Sequence, residues 1–352
     1  MKKIFISMAA VAAAICTISC NKDMTPDVPS QKPAVEQADD MVEVTFNVGT
    51  TLTTKATNFT EADEEYVGDL QILAFSGDEL DAYNKEVADP DSETPLNSIT
   101  ISFKAGVKDI YIFANAPDLS MIVSKATLLA TVSDLSDNSK GKFVMMATQP
   151  SHTFSSTTKL TLPLTRLASK VIIKKVTRNF SSPALAAMDF RIDEIFLINV
   201  GKGLNYGLSE TSDDLYNKSE YLSGLPDFTR DIVNVPLANG EFYNENTHTF
   251  YCYPNDDSTY PTRLVVKTTL WDDANNNDKT DEGETVYTYY YPITLPSVES
   301  NRSYEIAELI ITRRGADVPD TRIQFNEEEF GVNVSDWSVY NVSDFKSDFV
   351  QI

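Results

Sequence analysis

Short runs in which apolar and polar residues alternate recur along the chain, and this feature most limits what the chain can fold into. In the first run, single polar residues separate Val42, Val44, Phe46 and Val48. A period of two places these apolar side chains on one face of a half-buried strand. Similar runs, rich in Val, Ile, Tyr, Phe and Thr, lie at residues 69–75, 99–103, 108–114, 159–164, 169–176, 192–199, 248–253, 262–270, 285–293, 303–312 and 331–339. The pattern predicts an all-β protein built of sandwiches.

Helical turns are expected only near residues 119–128 and 183–188. The chain has 352 residues, and at about 150 residues per domain this length suggests two domains. One series of strands ends and a longer one begins near residues 164–167. We therefore predict an N-terminal β-sandwich over residues 41–164 and a C-terminal β-sandwich over residues 165–352.

The amino terminus has the pattern of an export signal. Lys2 and Lys3 precede an apolar stretch at residues 4–18, which is shorter than the about 20 residues that span a bilayer. Polar residues follow Cys20 at once, an arrangement that resembles the lipobox of bacterial lipoproteins. We predict a lipoprotein signal peptide at residues 1–19, lipidation of Cys20 and a flexible tether at residues 20–40. An ordinary signal peptide with a chance cysteine is the alternative.

Charge and chemistry make most enzyme classes poor candidates. The 52 acidic residues outnumber the 29 basic ones and give a net charge of −23, which repels nucleic acid and anionic lipid. Only His152 and His248 are available for histidine chemistry, and no nucleophile or phosphate-loop motif is present. Cys252 is interpreted as a small buried hydrophobic residue. We therefore expect neither an enzyme nor a bound cofactor, and no nucleic-acid partner.

One acidic stretch, residues 272–284, has a weak calcium-site pattern. Its spacing is similar to that of an EF-hand loop, but Asp278 stands where that loop has glycine and the flanking segments are strands. The candidate ligands are Asp273, Asn275, Asn277, Asp281 and Glu284. A solvated hairpin tip is the simpler interpretation. For the tyrosines at residues 287–291 and for Trp271, strand packing is likewise simpler than sugar binding.

The order of these segments resembles that of the fimbrillins of Bacteroidales, the subunits of type V pili. After the export signal and first strand come residues 67–75 (VGDLQILAF) and 111–117 (YIFANAP), each similar to a family motif. Residues 164–171 (LTRLASKV) are similar to the strand that opens the second domain. Residues 304–315 and 332–337 (VNVSDW) are similar to the closing pattern. The resemblance covers most of the chain beyond the signal.

The resemblance implies two tandem transthyretin-like β-sandwich domains and assembly by donor-strand exchange. A trypsin-like protease would cut the linker at Lys55 and release the first strand with its residues Val42, Val44, Phe46 and Val48. The C-terminal segment of the next subunit would fill the groove. The residues of this donor strand would be Val332, Val334, Trp337 and Val339.

The implied partners are other pilus subunits, the processing protease and a surface receptor that the sequence does not identify. The implied location is the fimbrium at the cell surface, reached as an outer-membrane lipoprotein precursor. Many family members have arginine where this chain has Lys55, while cuts at Arg166 or Arg178 would sever the core. A tip subunit, an anchor subunit and a glycan-binding surface lipoprotein remain alternatives to a shaft subunit.

Overall fold

The computed structural model describes residues 40–48, 64–90, 94–138, 141–208, 214–220, 227–274, 277, 279–322 and 330–336. The strands in this part of the chain are β1 (Met41–Asn47), β2 (Asp69–Ser76), β3 (Glu79–Val87), β4 (Ser98–Lys104), β5 (Gly106–Ala114), β6 (Val132–Asp134), β7 (Met145–Phe154), β8 (Thr158–Thr161), β9 (Thr165–Arg166), β10 (Ser169–Ile173), β11 (Val176–Arg178), β12 (Asp189–Ile198), β13 (Val200–Gly201), β14 (Gly203–Asn205), β15 (Leu215–Tyr216), β16 (Arg230–Pro236), β17 (Phe242–Tyr243), β18 (His248–Cys252), β19 (Arg263–Trp271), β20 (Val286–Thr294), β21 (Arg302–Ile311) and β22 (Phe330–Asp336). Short α-helices cover Lys125–Ala130 and Pro183–Ala186, and 3-10 turns cover Leu135–Asp137 and Asp227–Thr229. The predicted all-β class is confirmed.

Of the strands from β1 to β9, all but β6 form two sheets that pack face to face. One sheet has three strands in the order β4-β1-β8, and the other has five in the order β3-β2-β5-β7-β9. A cluster of buried apolar side chains confined to residues 42–164 fills the space between them. Its members include Val44, Phe46, Ile72, Ile101, Ile112 and Met145. The buried side chains of β1 pack in this cluster.

Most of the later strands form a second pair of sheets, while β13 pairs with β15 and β14 with β6. One has the order β16-β12-β19-β20; in the other, β21 pairs with β10 and β11 on one side and with β22 on the other. The larger apolar cluster lies between these sheets, and it also takes in Leu73, Phe75 and Phe113 from the five-stranded sheet. The central strands of that sheet, β2 and β5, are therefore buried on both faces. The domain boundary near residues 164–167 stays a prediction.

Several elements differ from the sequence-based prediction, each for a local reason. Strands β3, β7 and β16 were not predicted, because polar residues interrupt their alternation. The strand expected at 159–164 ends at Thr161, and the one expected at 169–176 is interrupted between β10 and β11. The first helix begins only at Lys125, because the Ser124 side chain accepts the N–H of Thr127 and caps it there.

Candidate strand-exchange site

The first strand lies in the middle of its sheet, so both of its sides are hydrogen-bonded. It runs antiparallel to β4 over its whole length and parallel to β8 over its second half. Beyond the strand, Val48 N–H donates to the Asn97 carbonyl at 2.8 Å, and Leu162 N–H donates to the Asn47 carbonyl at 3.0 Å. Strand β1 is thus hydrogen-bonded to a neighbouring strand on both sides.

One face of β1 is fully buried, as its alternation predicts. Val42 and Val48 are 4% and 2% exposed, and Val44 and Phe46 are 0% exposed. The Phe46 ring meets that of Phe154 edge to face, with centroids 6.2 Å apart. Burying side chains of this size stabilises a fold by about 1.5–3 kcal/mol each. These four side chains are the largest contribution of β1 to the fold.

The surroundings of β1 have the geometry of a slot for an extended chain. If β1 left, the backbone N–H and C=O groups of β4 and β8 that now face it would be unpaired. The floor of the slot would be the apolar side chains of the five-stranded sheet, among them Leu70, Ile72 and Ile112. Such a slot can bind a strand whose alternate residues are apolar, with main-chain bonds on both sides.

The predicted donor residues lie in a more exposed setting. Val332 and Val334 belong to β22, an edge strand antiparallel to β21. Val334 is 37% exposed, and Val332 is partly buried against the larger cluster. The valines of β22 therefore bury less surface in their own chain than the valines of β1 do.

The predicted lipidation and cleavage residues, Cys20 and Lys55, lie outside the described residues, as do Trp337 and Val339 of the predicted donor strand. Downstream of the predicted cut, the chain is described again from Glu64. The carboxylate of Glu64 accepts from the Lys170 ammonium at 2.9 Å and from the Tyr251 hydroxyl at 2.7 Å. The segment after the predicted cleavage site is thereby attached to β10 and β18.

The two arginines considered as other cleavage positions are buried. Arg166 and Arg178 are 4% and 2% exposed. The Arg178 guanidinium donates to the carbonyls of Leu237 at 2.8 Å and Met188 at 2.5 Å, and burial lowers the pKa of this group. A protease would reach neither peptide bond without unfolding the surrounding strands.

The acidic hairpin tip between β19 and β20 uses its side chains to bond its own backbone. Asp273 accepts the N–H of Asn277 at 3.2 Å, and Glu284 accepts that of Asp281 at 2.9 Å. The side-chain amide of Asn277 donates to Asp281 at 2.6 Å; Asn275 lies outside the described residues. Within the described ranges, no group of three or more His, Cys, Asp or Glu residues is arranged to hold a metal ion. The calcium hypothesis stays a prediction.

The two histidines and the buried cysteine, the side chains considered for catalysis, pack against or bond to their neighbours in the fold. The Nδ1 of His248 lies 2.7 Å from Asp231, and its Nε2 lies 3.1 Å from the Tyr243 hydroxyl, which links β18 of one sheet to β16 of the other. His152 packs on Phe154, with ring centroids 4.5 Å apart. Cys252 is buried as predicted, and desolvation raises the pKa of its thiol to about 12.

The aromatic run on β20 points mainly inward. Tyr289 and Tyr291 are buried, and the packing interpretation is confirmed for them and for Trp271. Tyr287 is exposed at the end of the strand, stacked on Tyr289 at 6.0 Å and 5.6 Å from the Arg314 guanidinium. Tyr290 is partly buried, so Tyr287 is the most exposed tyrosine of the run.

Sequence reasoning missed the strand that supports the β1 slot from outside. Polar side chains of β3 bond to the backbone of β4 on the side opposite β1. A signal for β3 was present, because the two-residue turn Gly77–Asp78 joins it to β2, and Gly77 has a φ of +65°. A Gly-containing two-residue turn after a strand is a strong hairpin indicator.

Comparison with known proteins agrees with this geometry. Residues 42–178 match a family model described as the major fimbrial subunit protein (FimA). No curated protein matches the chain. Among the described residues, no helix has both the length and the apolar character needed to cross a membrane.

Solved structures share the fold at low sequence identity. A putative cell adhesion protein of Parabacteroides distasonis is 18% identical with a TM-score of 0.61, over 85% of this chain and 97% of that one. A putative cell adhesion protein of Bacteroides eggerthii is 18% identical with a TM-score of 0.60, over 85% and 96%. A fimbrilin (FimA) of Porphyromonas gingivalis is 16% identical with a TM-score of 0.58, over 85% and 98%.

The family match covers the β1 slot and both of the sheets around it, and the solved fimbrilin has the same fold. The resemblance seen in the sequence is confirmed: residues 42–178 match the family model of the major fimbrial subunit protein FimA.

Proposed function

We propose that this protein is a structural subunit of a type V pilus that polymerises by protease-triggered donor-strand exchange and supports adhesion. The FimA family match supports the role of a fimbrial subunit. The observation that carries the exchange mechanism is the position of β1, a strand that lies between two neighbours with one face fully buried. Removing such a strand leaves a slot that another strand can refill by main-chain pairing.

The valines of β22 are less buried than the side chains of β1, and this difference favours transfer of the donor strand from its own chain to the slot of the next subunit. Val334 is 37% exposed on β22, whereas the β1 side chains that a donor would replace are nearly inaccessible. A segment that leaves β21 gives up little apolar contact, and it gains the contact of a full slot in the next subunit. Each fully buried side chain of this kind contributes about 1.5–3 kcal/mol. The proposed donor residues are Val332, Val334, Trp337 and Val339.

The remaining parts of the proposal concern delivery and processing. Cys20 would carry the lipid of an outer-membrane precursor, and a protease that accepts lysine would cut at Lys55. The carboxylate of Glu64, bound to Lys170 and Tyr251, would hold the new chain end close to the core after the cut. Partners are other subunits of the same kind and the processing protease.

Limited proteolysis tests this proposal. The full-length protein is treated briefly with trypsin, and its intact mass and its migration on an unboiled gel are measured. We expect a fragment that begins at Ala56 and a ladder of stable oligomers, and neither in the Lys55→Gln variant; cuts in the predicted tether, before β1, do not affect this readout. Lys55→Arg serves as the matched control and should behave as the wild type.

The same experiment separates the subunit roles. A cut without a ladder, restored when a truncated acceptor is added, indicates a shaft subunit that lacks its partner; a cut with no ladder in any mixture indicates a tip subunit. Resistance at Lys55 together with a persistent monomer contradicts the exchange mechanism and favours an anchor. Exposed Tyr287 beside Arg314 favours glycan binding as a second candidate, and glycan-array binding by an uncut monomer would establish it.

A further inference from the structure

Strand β4 depends on β1 for its main-chain pairing. The three-stranded sheet has the order β4-β1-β8, so within the described residues β4 has no other ladder partner. When β1 leaves, β4 becomes a strand without a sheet. Its buried side chains Ile99, Ile101 and Phe103 still face the core, but its backbone N–H and C=O groups that paired with β1 lose their partners. If β4 were free to move, the slot would bind an incoming strand weakly, because ordering β4 on binding costs conformational entropy.

Side chains of β3 bond to the outer edge of β4. The Asn84 amide donates to the Thr100 carbonyl at 2.7 Å, and Thr100 N–H donates to the Glu86 carboxylate at 3.2 Å. Further along, Lys104 N–H donates to the Asp81 carboxylate at 3.2 Å. Both polar backbone groups of Thr100 are therefore bonded on the side away from β1.

These side chains are themselves fixed to the five-stranded sheet. Strand β3 pairs with β2 from end to end. The Asp81 carboxylate lies 2.7 Å from the ammonium of Lys108, a residue of β5 that is 4% exposed. The same ammonium donates to the Ser76 hydroxyl at 2.5 Å. The bonds from β3 thus connect β4 to a sheet that stays intact when β1 is absent.

We propose that Asp81, Asn84 and Glu86 are positioning residues that hold β4 in place when β1 is absent, so that the vacant slot stays formed for a strand from a second subunit. The inference rests on the proposed strand exchange for its role in assembly. The inference can also be tested on the uncut protein, because elements of a native protein open locally and transiently.

Hydrogen exchange in dilute denaturant tests the inference without cleavage. Exchange of peptides covering residues 41–47 and 98–104 is followed by mass spectrometry on the full-length, uncut protein. In the wild type we expect part of the 98–104 peptide, including the bonded Thr100 amide, to exchange at least tenfold more slowly than the 41–47 peptide. This difference would show that β4 stays bonded to β3 while β1 opens.

Two nearly isosteric variants test which hydrogen bonds from β3 to Thr100 are needed. Asn84→Asp removes the donor to the Thr100 carbonyl and should bring the two peptides to the same exchange rate. Glu86→Gln keeps an acceptor oxygen for Thr100 N–H and should exchange as the wild type does. Thermal melting confirms that each variant is folded.

Equal exchange of the two peptides in the wild type would overturn the inference, as would an Asn84→Asp variant that exchanges like the wild type. The trypsin assay is a separate test of the proposed function. A wild type that polymerises although its two peptides exchange together leaves strand exchange standing and removes only the positioning role.

Discussion

At the scale of residues, one carboxylate lies where the pairing of two strands shifts its register. Asp109 sits at the irregularity in the pairing of β5 with β7. Its carboxylate accepts from the Lys125 ammonium at 2.7 Å and from the Ser151 N–H at 2.7 Å. Ser151 has a φ of +50°, a left-handed conformation that costs energy for a residue with a side chain. The hydrogen bond from Lys125, assisted by that from Ser151, lowers the pKa of Asp109.

The lowered pKa of Asp109 predicts how stability depends on pH. A carboxyl whose pKa is lower in the folded state contributes stability above its unfolded pKa and loses it as the pH falls through the folded pKa. The variant Asp109→Asn lacks this contribution. We expect its Tm to lie below that of the wild type at pH 7, and the gap to close as the pH falls below about 4, the ordinary value for aspartate.

Thermal melts from pH 7 to pH 3 measure this gap. Glu43→Gln, which removes the same charge from the exposed face of β1, is the control and should melt close to the wild type. A gap between Asp109→Asn and the wild type that stays constant over this range would contradict the assignment.

At the scale of elements, the pairing of β1 with β4 offers a direct way to test strand release. Thr45 and Thr100 are paired across the two strands, with hydroxyl oxygens 3.0 Å apart. The backbone groups of Thr100 bond to β3, so this is a non-hydrogen-bonded pair. Such pairs have Cα atoms about 4.5 Å apart, within the range of a disulfide.

A disulfide at this pair should lock the slot. In the double variant Thr45→Cys/Thr100→Cys, we expect the oxidised protein to be cut by trypsin yet to stay monomeric, and reduction to restore the oligomer ladder. The single variant Thr45→Cys is the control and should polymerise under both conditions. Polymers formed by the oxidised protein would show that β1 need not leave.

The sequence predicted β1, β4 and part of β8 as strands, but not the way in which they pair. The period of two in β1 predicts which of its residues are buried, because a strand has only two faces. It does not predict that β4 and β8 flank it, since those pairs join residues far apart in the chain. The polar run of β3 had no apolar alternation to indicate a strand, because its side chains bond to a neighbouring backbone instead.

At the scale of the whole molecule, a buried polar network joins the early and late strands. The short β6 pairs with β14, and Ser133 of β6 lies 2.7 Å from the Tyr253 hydroxyl. The side-chain amide of Asn138 donates to the same hydroxyl at 2.7 Å. The larger apolar cluster also contains residues from both series of strands, among them Phe113 and Tyr206, whose ring centroids are 4.5 Å apart.

This network predicts coupled unfolding. Tyr253→Phe removes the hydroxyl that both side chains contact and leaves their donor groups only longer bonds of 3.3 Å, from Ser133 to Asp137 and from Asn138 to the Leu135 carbonyl. The loss of the shared partner in a buried site costs about 1–3 kcal/mol. We expect calorimetry to show one transition in the wild type and the same single transition at a lower Tm in the variant. Tyr260→Phe, at a ring that packs on Lys218, should change stability by less than about 0.5 kcal/mol. Two separate transitions would contradict the coupling.

The sequence by itself determined the all-β class, the buried face of β1 and the resemblance to fimbrillins, because each depends on residues that are close together in the chain. Only the tertiary structure decided that β1 lies between two strands and that β22 lies at an edge with its valines half exposed. It also decided that β4 is fastened from outside by β3. Pairing of strands distant in sequence follows from the packing of the whole core, which no local pattern encodes.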